Sequence, residues 1–163
     1  MPRSALPIDQ LLAALAATPP RLAALTAGRA PAQLRTPLAP EEWSATEVLA
    51  HLRACADVWG GCIAAMLAED RPTLRAVDPR TWVTRTDYPT LEFQPSLDAF
   101  AAQRTALLAV LAPLTPADWA RAATVTGAGA VLTRTVESYA QRLARHERPH
   151  VKQIARIAGT LRG

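Results

Sequence analysis

The chain has 163 residues, which suffices for one domain with a buried core and is short for two. We therefore expect a single domain over residues 1–163. Half of the residues are hydrophobic, yet no apolar run reaches the roughly 20 residues of a membrane helix, and Asp9 interrupts the apolar N-terminal stretch. The sequence predicts a soluble protein with no membrane partner and no export signal.

The formal net charge of +4 comes from arginines spread along the chain, because Lys152 is the only lysine. Nucleic-acid binding typically needs basic residues grouped in a stripe and interleaved with aromatic side chains. The four Trp, two Tyr and two Phe residues form no such stripe. We therefore expect no nucleic-acid partner.

The two cysteines, Cys55 and Cys62, fall on one predicted helix. Seven residues of helix separate their Cα atoms by about 10 Å, beyond the ~7 Å limit for a disulfide. Both are expected to be free thiols, which suits a cytoplasmic location.

Apolar spacing predicts helices along most of the chain, and no segment predicts a strand. The first helix keeps one apolar face from Ile8 across Pro19 and Pro20 and stops near Gly28.

The second helix is predicted from Ser44, where Glu47 completes a capping box, to about Ala68. Residues 70–95 are rich in Pro, Arg, Thr and Asp and show no sustained period. They are predicted to form a long crossover loop.

The third helix is predicted to start from a Ser96 cap, and Arg104 on its apolar face is expected to be half-buried and paired with a carboxylate. TPADW at residues 115–119 predicts a short helix with a Thr cap. The last helix should begin at Thr133 or Thr135 and end before Gly159. The sequence thus predicts an all-α four-helix bundle with a long crossover between helices 2 and 3 and a short extra helix before the last helix.

All three histidines of the chain fall on apolar faces of predicted helices. His146 and His150 are four residues apart, so their imidazoles lie on one face of the last helix, and His51 can approach them from a neighbouring antiparallel helix. One such histidine is more often a hydrogen-bonded core residue. Three with this spacing favour a metal site made of His51, His146 and His150.

The segment HERPH, residues 146–150, matches the H-E-x-x-H pattern of zinc proteases. That class needs a third ligand, normally downstream, and no His, Asp or Glu follows His150. Pro149 also removes a backbone hydrogen bond inside the motif. The protease hypothesis is therefore rejected.

Three neutral imidazoles suit a divalent transition metal such as zinc or nickel and leave coordination positions open, as in a reactive metal centre. Cys55, one turn after His51, could close the site, but we interpret it as a small apolar core residue.

Three polar residues near the histidines have alternative interpretations. Glu47 and Glu147 could accept hydrogen bonds from imidazole N–H groups, although the capping box is the better interpretation for Glu47. Gln153, one turn past His150, could hold a ligand or a bound water, or could simply border the apolar face.

Several motifs together resemble the DinB-like (DinB/YfiT) metalloprotein superfamily: EEWSATEVLAHL at residues 41–52, RHERPHVKQI at residues 145–154, and the Phe100–Arg104 pair on the third helix. The resemblance implies a metal held by His51, His146 and His150, often in a homodimer. Pro149 departs from the pattern. Members with a known activity mostly use low-molecular-weight thiols such as bacillithiol or mycothiol.

Three functions remain compatible with these residues. The first is a thiol S-transferase in which the metal lowers the pKa of a small thiol that reacts with an electrophile, with Arg104 or a crossover arginine as a candidate to bind an anionic thiol. The second is a non-catalytic metal-binding protein associated with stress. The third is metal-hydroxide hydrolysis with the same ligands.

Overall fold

The computed structural model describes residues 4–161 and places seven α-helices among them. The four long helices are α1 (Ile8–Thr26), α3 (Ala45–Ala68), α5 (Phe93–Leu111) and α7 (Val136–Thr160). The three short ones are α2 (Pro31–Arg35), α4 (Pro79–Trp82) and α6 (Pro116–Trp119). The predicted four-helix bundle is confirmed, with its long second crossover and the short helix before the last one.

Side-chain caps fix the start of both histidine-bearing helices. Ser44 Oγ accepts a hydrogen bond from the Glu47 amide, and Glu47 Oε1 accepts one from the Ser44 amide, each at 3.2 Å. Thr135 and Ser138 make the corresponding pair at the start of α7. These caps satisfy amides that have no partner within the helix, and so set the register of the faces that carry the histidines.

Each long helix packs against two others: α3 contacts α7 and α5, and α1 contacts the same two. Buried leucines and isoleucines from all four helices fill the centre. By length and composition alone α3 could also span a membrane, but more than half of that segment is buried inside the bundle. Its apolar character therefore follows from its position in the core.

The expectation of no strands was wrong. β1 (Thr73–Arg75), β2 (Ala122–Thr126) and β3 (Leu132–Thr135) form a small sheet in that order, with β1 parallel to β2 and β2 antiparallel to β3. β2 alternates between half-buried and buried residues, so Ala123 and Val125 reach the core. The sheet ties the crossover to the hairpin that leads into α7.

The crossover is also fixed to α3 by hydrogen bonds to Asp57. Its carboxylate accepts from Trp82 Nε1 at 3.0 Å, from Tyr88 Oη at 2.6 Å and from Gln103 Nε2 on α5 at 2.7 Å. Besides β1 and α4, the crossover contains two 3-10 turns, Val83–Arg85 and Tyr88–Thr90. The segment predicted as a loop is therefore held in a defined path across the bundle.

Two predicted boundaries need correction. α5 begins at Phe93, one turn before the predicted Ser96 cap; Ser96 is buried, and its hydroxyl accepts a hydrogen bond from Arg53 at 3.0 Å. α7 continues through Gly159 to Thr160, because one exposed glycine at a helix end costs too little to stop it.

Candidate metal centre

The three histidines meet between α3 and α7. The ring centroids of His51 and His146 are 5.1 Å apart, those of His51 and His150 are 4.9 Å apart, and those of His146 and His150 are 4.7 Å apart. α7 is helical through Pro149, so both of its histidines keep the four-residue spacing. The structure thus brings together all three residues predicted to bind a metal.

Two imidazole nitrogens and one thiol lie closest together. His51 Nε2 is 2.9 Å from His146 Nε2 and 3.6 Å from Cys55 Sγ, and the donor atoms of these three residues lie within 4.8 Å of one another. In a tetrahedral site with bonds of about 2.1 Å to nitrogen and 2.3 Å to sulfur, a nitrogen ligand and a sulfur ligand lie about 3.6 Å apart. Cys55 is therefore close enough to be a fourth donor, nearer than its interpretation as a packing residue implied.

The His150 ring lies beside this group, with its centroid 4.9 Å from that of His51, and it is oriented by Gln153. Nδ1 of His150 lies 3.0 Å from Gln153 Oε1. Because that oxygen can only accept, we assign the imidazole proton to Nδ1, which leaves the Nε2 lone pair free to bind a cation. This contact supports the interpretation of Gln153 as a residue that holds a ligand.

The environment keeps two of the imidazoles neutral. Burial, followed by the positive charge of neighbouring histidines, lowers the pKa of His51 to about 4. Burial, followed by His150 and Arg142, lowers the pKa of His146 to about 4 as well. Both rings therefore offer lone pairs at neutral pH, which is the state that metal binding requires.

The donor set fits a divalent transition metal. Imidazole and thiol ligands favour zinc, nickel or copper over magnesium or calcium. Within residues 4–161, His51 Nδ1 is buried without a hydrogen-bond partner, and an ion held at Nε2 would not give it one. The fit to a metal therefore rests on the donor atoms themselves: three imidazole rings and a thiol that converge from two helices are better explained by ligand binding than by core packing.

Two tryptophans flank the imidazoles. Trp43 lies 5.2 Å from the His51 ring and stacks at 6.5 Å on His150, while Trp59 meets the His146 ring edge-on at 5.1 Å. The two indole rings form apolar walls on two sides of the histidine cluster. Trp59 belongs to the predicted apolar face of α3, and Trp43 stands next to the Ser44 cap, but neither position alone indicated a role at the site.

Arg104 is unavailable to bind a substrate. It is 2% exposed, not half-buried, and it forms a buried ion pair with Glu147 while also donating to the Leu15 carbonyl at 2.8 Å. Glu147 also accepts from Thr18 Oγ1 at 2.8 Å. The expected carboxylate partner of Arg104 is thus confirmed, whereas its use as an anchor for an anionic thiol is not supported.

The same ion pair decides the role of Glu147. Its carboxylate faces Arg104 and Thr18, and it makes no hydrogen bond to a histidine within the described part of the chain. Glu47 is exposed and serves the Ser44 cap, as interpreted from the sequence. Gln153 is therefore the one of the three polar candidates that contacts an imidazole.

Both thiols are free, as expected, and burial raises their pKa values. The pKa of Cys55 rises to about 12, chiefly through burial and then through the charge of Glu147. Burial also raises the pKa of Cys62, although a hydrogen bond with Tyr139 opposes the rise. Without a bound cation, both side chains are protonated at neutral pH.

Fold and site together define a four-helix bundle with an internal cluster of candidate metal ligands. A family model described as the DinB superfamily matches residues 14–154, and the chain belongs to that superfamily. This confirms the resemblance found in the histidine motifs.

One solved structure shows the fold at the level of the whole chain. It is YfiT from Bacillus subtilis, described as a probable metal-dependent hydrolase with an unusual four-helix bundle topology. The TM-score is 0.81 at 21% identity, and the match covers 99% of this chain and 93% of YfiT. No curated protein matches the chain.

Proposed function

We propose that this protein is a metal-dependent S-transferase that joins a low-molecular-weight thiol to a small electrophile. The observation that carries the proposal is the convergence of His51, His146 and His150, whose ring centroids lie 4.7 to 5.1 Å apart. Family membership supports the metal, and the thiol chemistry comes from the resemblance to thiol-using members of the superfamily.

The chain's own residues would prepare the site in three ways. His51, His146 and His150 would hold the cation, and Gln153 would fix the His150 ring through its contact at 3.0 Å. A divalent cation bound there supplies a positive charge that lowers the pKa of a thiol or a water molecule. Trp43 and Trp59 would limit competing water, which strengthens electrostatic interactions inside the cleft.

The source of the nucleophile favours an external thiol. Cys62 has a raised pKa and hydrogen-bonds with Tyr139, so its thiol is protonated at neutral pH. Cys55 is 2% exposed, so an incoming electrophile cannot reach it without displacing core residues. Neither cysteine is suited to attack a substrate, and a thiol supplied from solution would fill that role.

Hydrolysis is the second candidate, because YfiT is described as a probable metal-dependent hydrolase. Both reactions would use the same three histidines.

We further propose a homodimer acting on a small molecule in the cytoplasm, as expected from the sequence. Analytical ultracentrifugation of the metal-loaded protein tests the oligomeric state.

The test is a comparison of thiol consumption by metal-loaded and metal-free protein, using cysteine and N-acetylcysteine with a chloronitrobenzamide as electrophile. We expect acceleration only by the metal-loaded form, saturating with thiol, and abolished in His51→Ala. Acceleration of ester hydrolysis without thiol consumption would favour the hydrolase. Stoichiometric metal binding with neither reaction would favour a non-catalytic metal-binding protein.

A further inference from the structure

We propose that the cavity beside the metal centre binds the carboxylate end of an aromatic or other apolar organic acid, which makes the preferred electrophile an anion. This inference rests on the proposed function and names its substrate class. The cavity measures about 460 Å³ and lies between α3, the crossover, the β2–β3 hairpin and α7. That volume is typical of a small-molecule site and too small for a macromolecule.

The cavity lies next to the metal centre, and the two share the side chain of Trp59. Trp59 lines it and also contacts the His146 ring at 5.1 Å. Arg142, one turn before His146 on α7, lines it as well, and its guanidinium lies 4.6 Å from the centre of the Trp59 ring. Trp59 is therefore shared by the cavity and the metal centre, although within residues 4–161 no histidine lines the cavity itself.

Two arginines give the cavity a positive end. Arg134 and Arg142 both line it, and neither forms an ion pair within residues 4–161. Asp78 is the one acidic residue of the lining, and its carboxylate already caps α4 by accepting from the Arg80 amide at 2.9 Å. Two guanidinium groups without carboxylate partners favour an anion, and their planar geometry suits a carboxylate.

Most of the remaining wall is apolar, and the Cys62 thiol and Tyr139 also line the cavity. Val58, Val77, Val125 and Leu132 line the cavity, and Val77 and Leu132 remain 46% and 37% exposed at its mouth. Apolar side chains left open to solvent beside a cavity are typical of a surface that a ligand covers. The occupant therefore combines an apolar or aromatic body with a negative charge.

The binding test uses metal-loaded protein and two probes of the same shape, a chloronitrobenzoate and the matching chloronitrobenzamide, followed by calorimetry. We expect the benzoate to bind about fivefold more tightly, and Arg142→Gln or Arg134→Gln to remove most of that preference. Arg148→Gln is the matched control, since this exposed α7 arginine borders a different cavity with Thr18. Equal affinities, loss of preference in Arg148→Gln, or no binding of either probe would overturn the proposal.

The same two compounds separate this proposal from the proposed function. In the transfer reaction the thiol sulfur forms a bond to the aromatic carbon, chloride leaves, and the thiol proton passes to solvent. We expect Arg142→Gln to raise KM for the benzoate and to lower kcat/KM for the benzoate more than for the benzamide. Selective binding of the benzoate without any transfer would contradict only the S-transferase function. Efficient transfer to the benzamide with no charge preference would contradict only the anion site.

Discussion

His51 Nε2 lies 2.9 Å from His146 Nε2, although 95 residues separate the two histidines in the chain. The contact exists because α3 and α7 pack side by side, with each start fixed by a capping box. At this distance the two rings can share one N–H proton in a hydrogen bond or bind a common cation, depending on which nitrogen of each ring carries its proton.

The first prediction concerns Gln153. Replacing it with alanine removes the acceptor that orients His150 and should weaken metal affinity by about tenfold to a hundredfold. Lys152→Ala, an exposed neighbour on α7, is the matched control and should leave affinity unchanged. Competition with a chromophoric chelator gives both affinities. Equal affinities for Gln153→Ala and wild type would show that the contact does not orient a ligand.

The second prediction concerns Cys55, whose thiol lies close enough to His51 to bind the same metal ion. We expect Cys55→Ala to retain the metal and to lose about 1 kcal/mol of stability, because three imidazoles already hold the ion and the substitution removes little volume. Cys62→Ala is the control. Cobalt-substituted wild type should then show no charge-transfer band that depends on Cys55. Metal loss in Cys55→Ala would instead indicate a closed structural centre and would contradict the catalytic function.

The third prediction is a pH dependence of the metal-free protein. The pKa values of His51 and His146 are lowered from 6.5 to about 4 in the folded state. Between these values the unfolded chain binds more protons, so the two histidines should lower stability as pH drops through this window, and their contribution should level off below about pH 4. Thermal unfolding from pH 7 to pH 4 measures this. The slope should shrink in His146→Asn, and an unchanged slope in that variant would contradict the assignment.

The lowered pKa values also correct a simpler expectation about the metal. Free histidine protonates near pH 6.5, which by itself predicts that metal stabilisation fades below that pH. Because His51 and His146 stay neutral to lower pH in the folded protein, their protonation should oppose metal binding only as pH approaches about 4.

The fourth prediction concerns the buried ion pair between Arg104 and Glu147. Arg104→Met leaves a buried carboxylate unpaired and should lower the free energy of unfolding by about 3–5 kcal/mol. The control is Arg156→Met, whose exposed pair with Glu42 at 3.0 Å should contribute about 1 kcal/mol or less. Urea denaturation compares them. If the free energy of unfolding falls by the same small amount in both variants, the Arg104–Glu147 pair does not stabilise the bundle.

Much of this organisation could be predicted from local sequence. Ser44 and Glu47 identify the start of α3, and the spacing of His146 and His150 identifies a shared face, because caps and helical periodicity are local properties. The short strands could not be predicted in the same way. β1 has three residues and pairs with β2 about 50 positions later, and the pairing depends on the crossover path.

The parts of the site that could not be predicted from the sequence depend on tertiary contacts. Arg104 was expected beside a carboxylate, but only the fold shows that Glu147 occupies it completely. Nothing in the sequence distinguishes Arg134 and Arg142 from other surface arginines. Only the fold shows that the hairpin and α7 bring them to the same cavity, with Arg142 packed on Trp59. The reach of Cys55 toward His51 likewise depends on side-chain positions that helical spacing alone does not fix.

The most direct test of the account is elemental analysis of protein purified without an affinity tag, before and after loading with zinc or nickel, in wild type and in His150→Ala. We predict one divalent transition metal per chain in wild type, a rise in melting temperature on loading, and loss of most of the metal in His150→Ala. A wild-type protein that contains no metal and whose melting temperature does not respond to zinc or nickel would contradict the central claim.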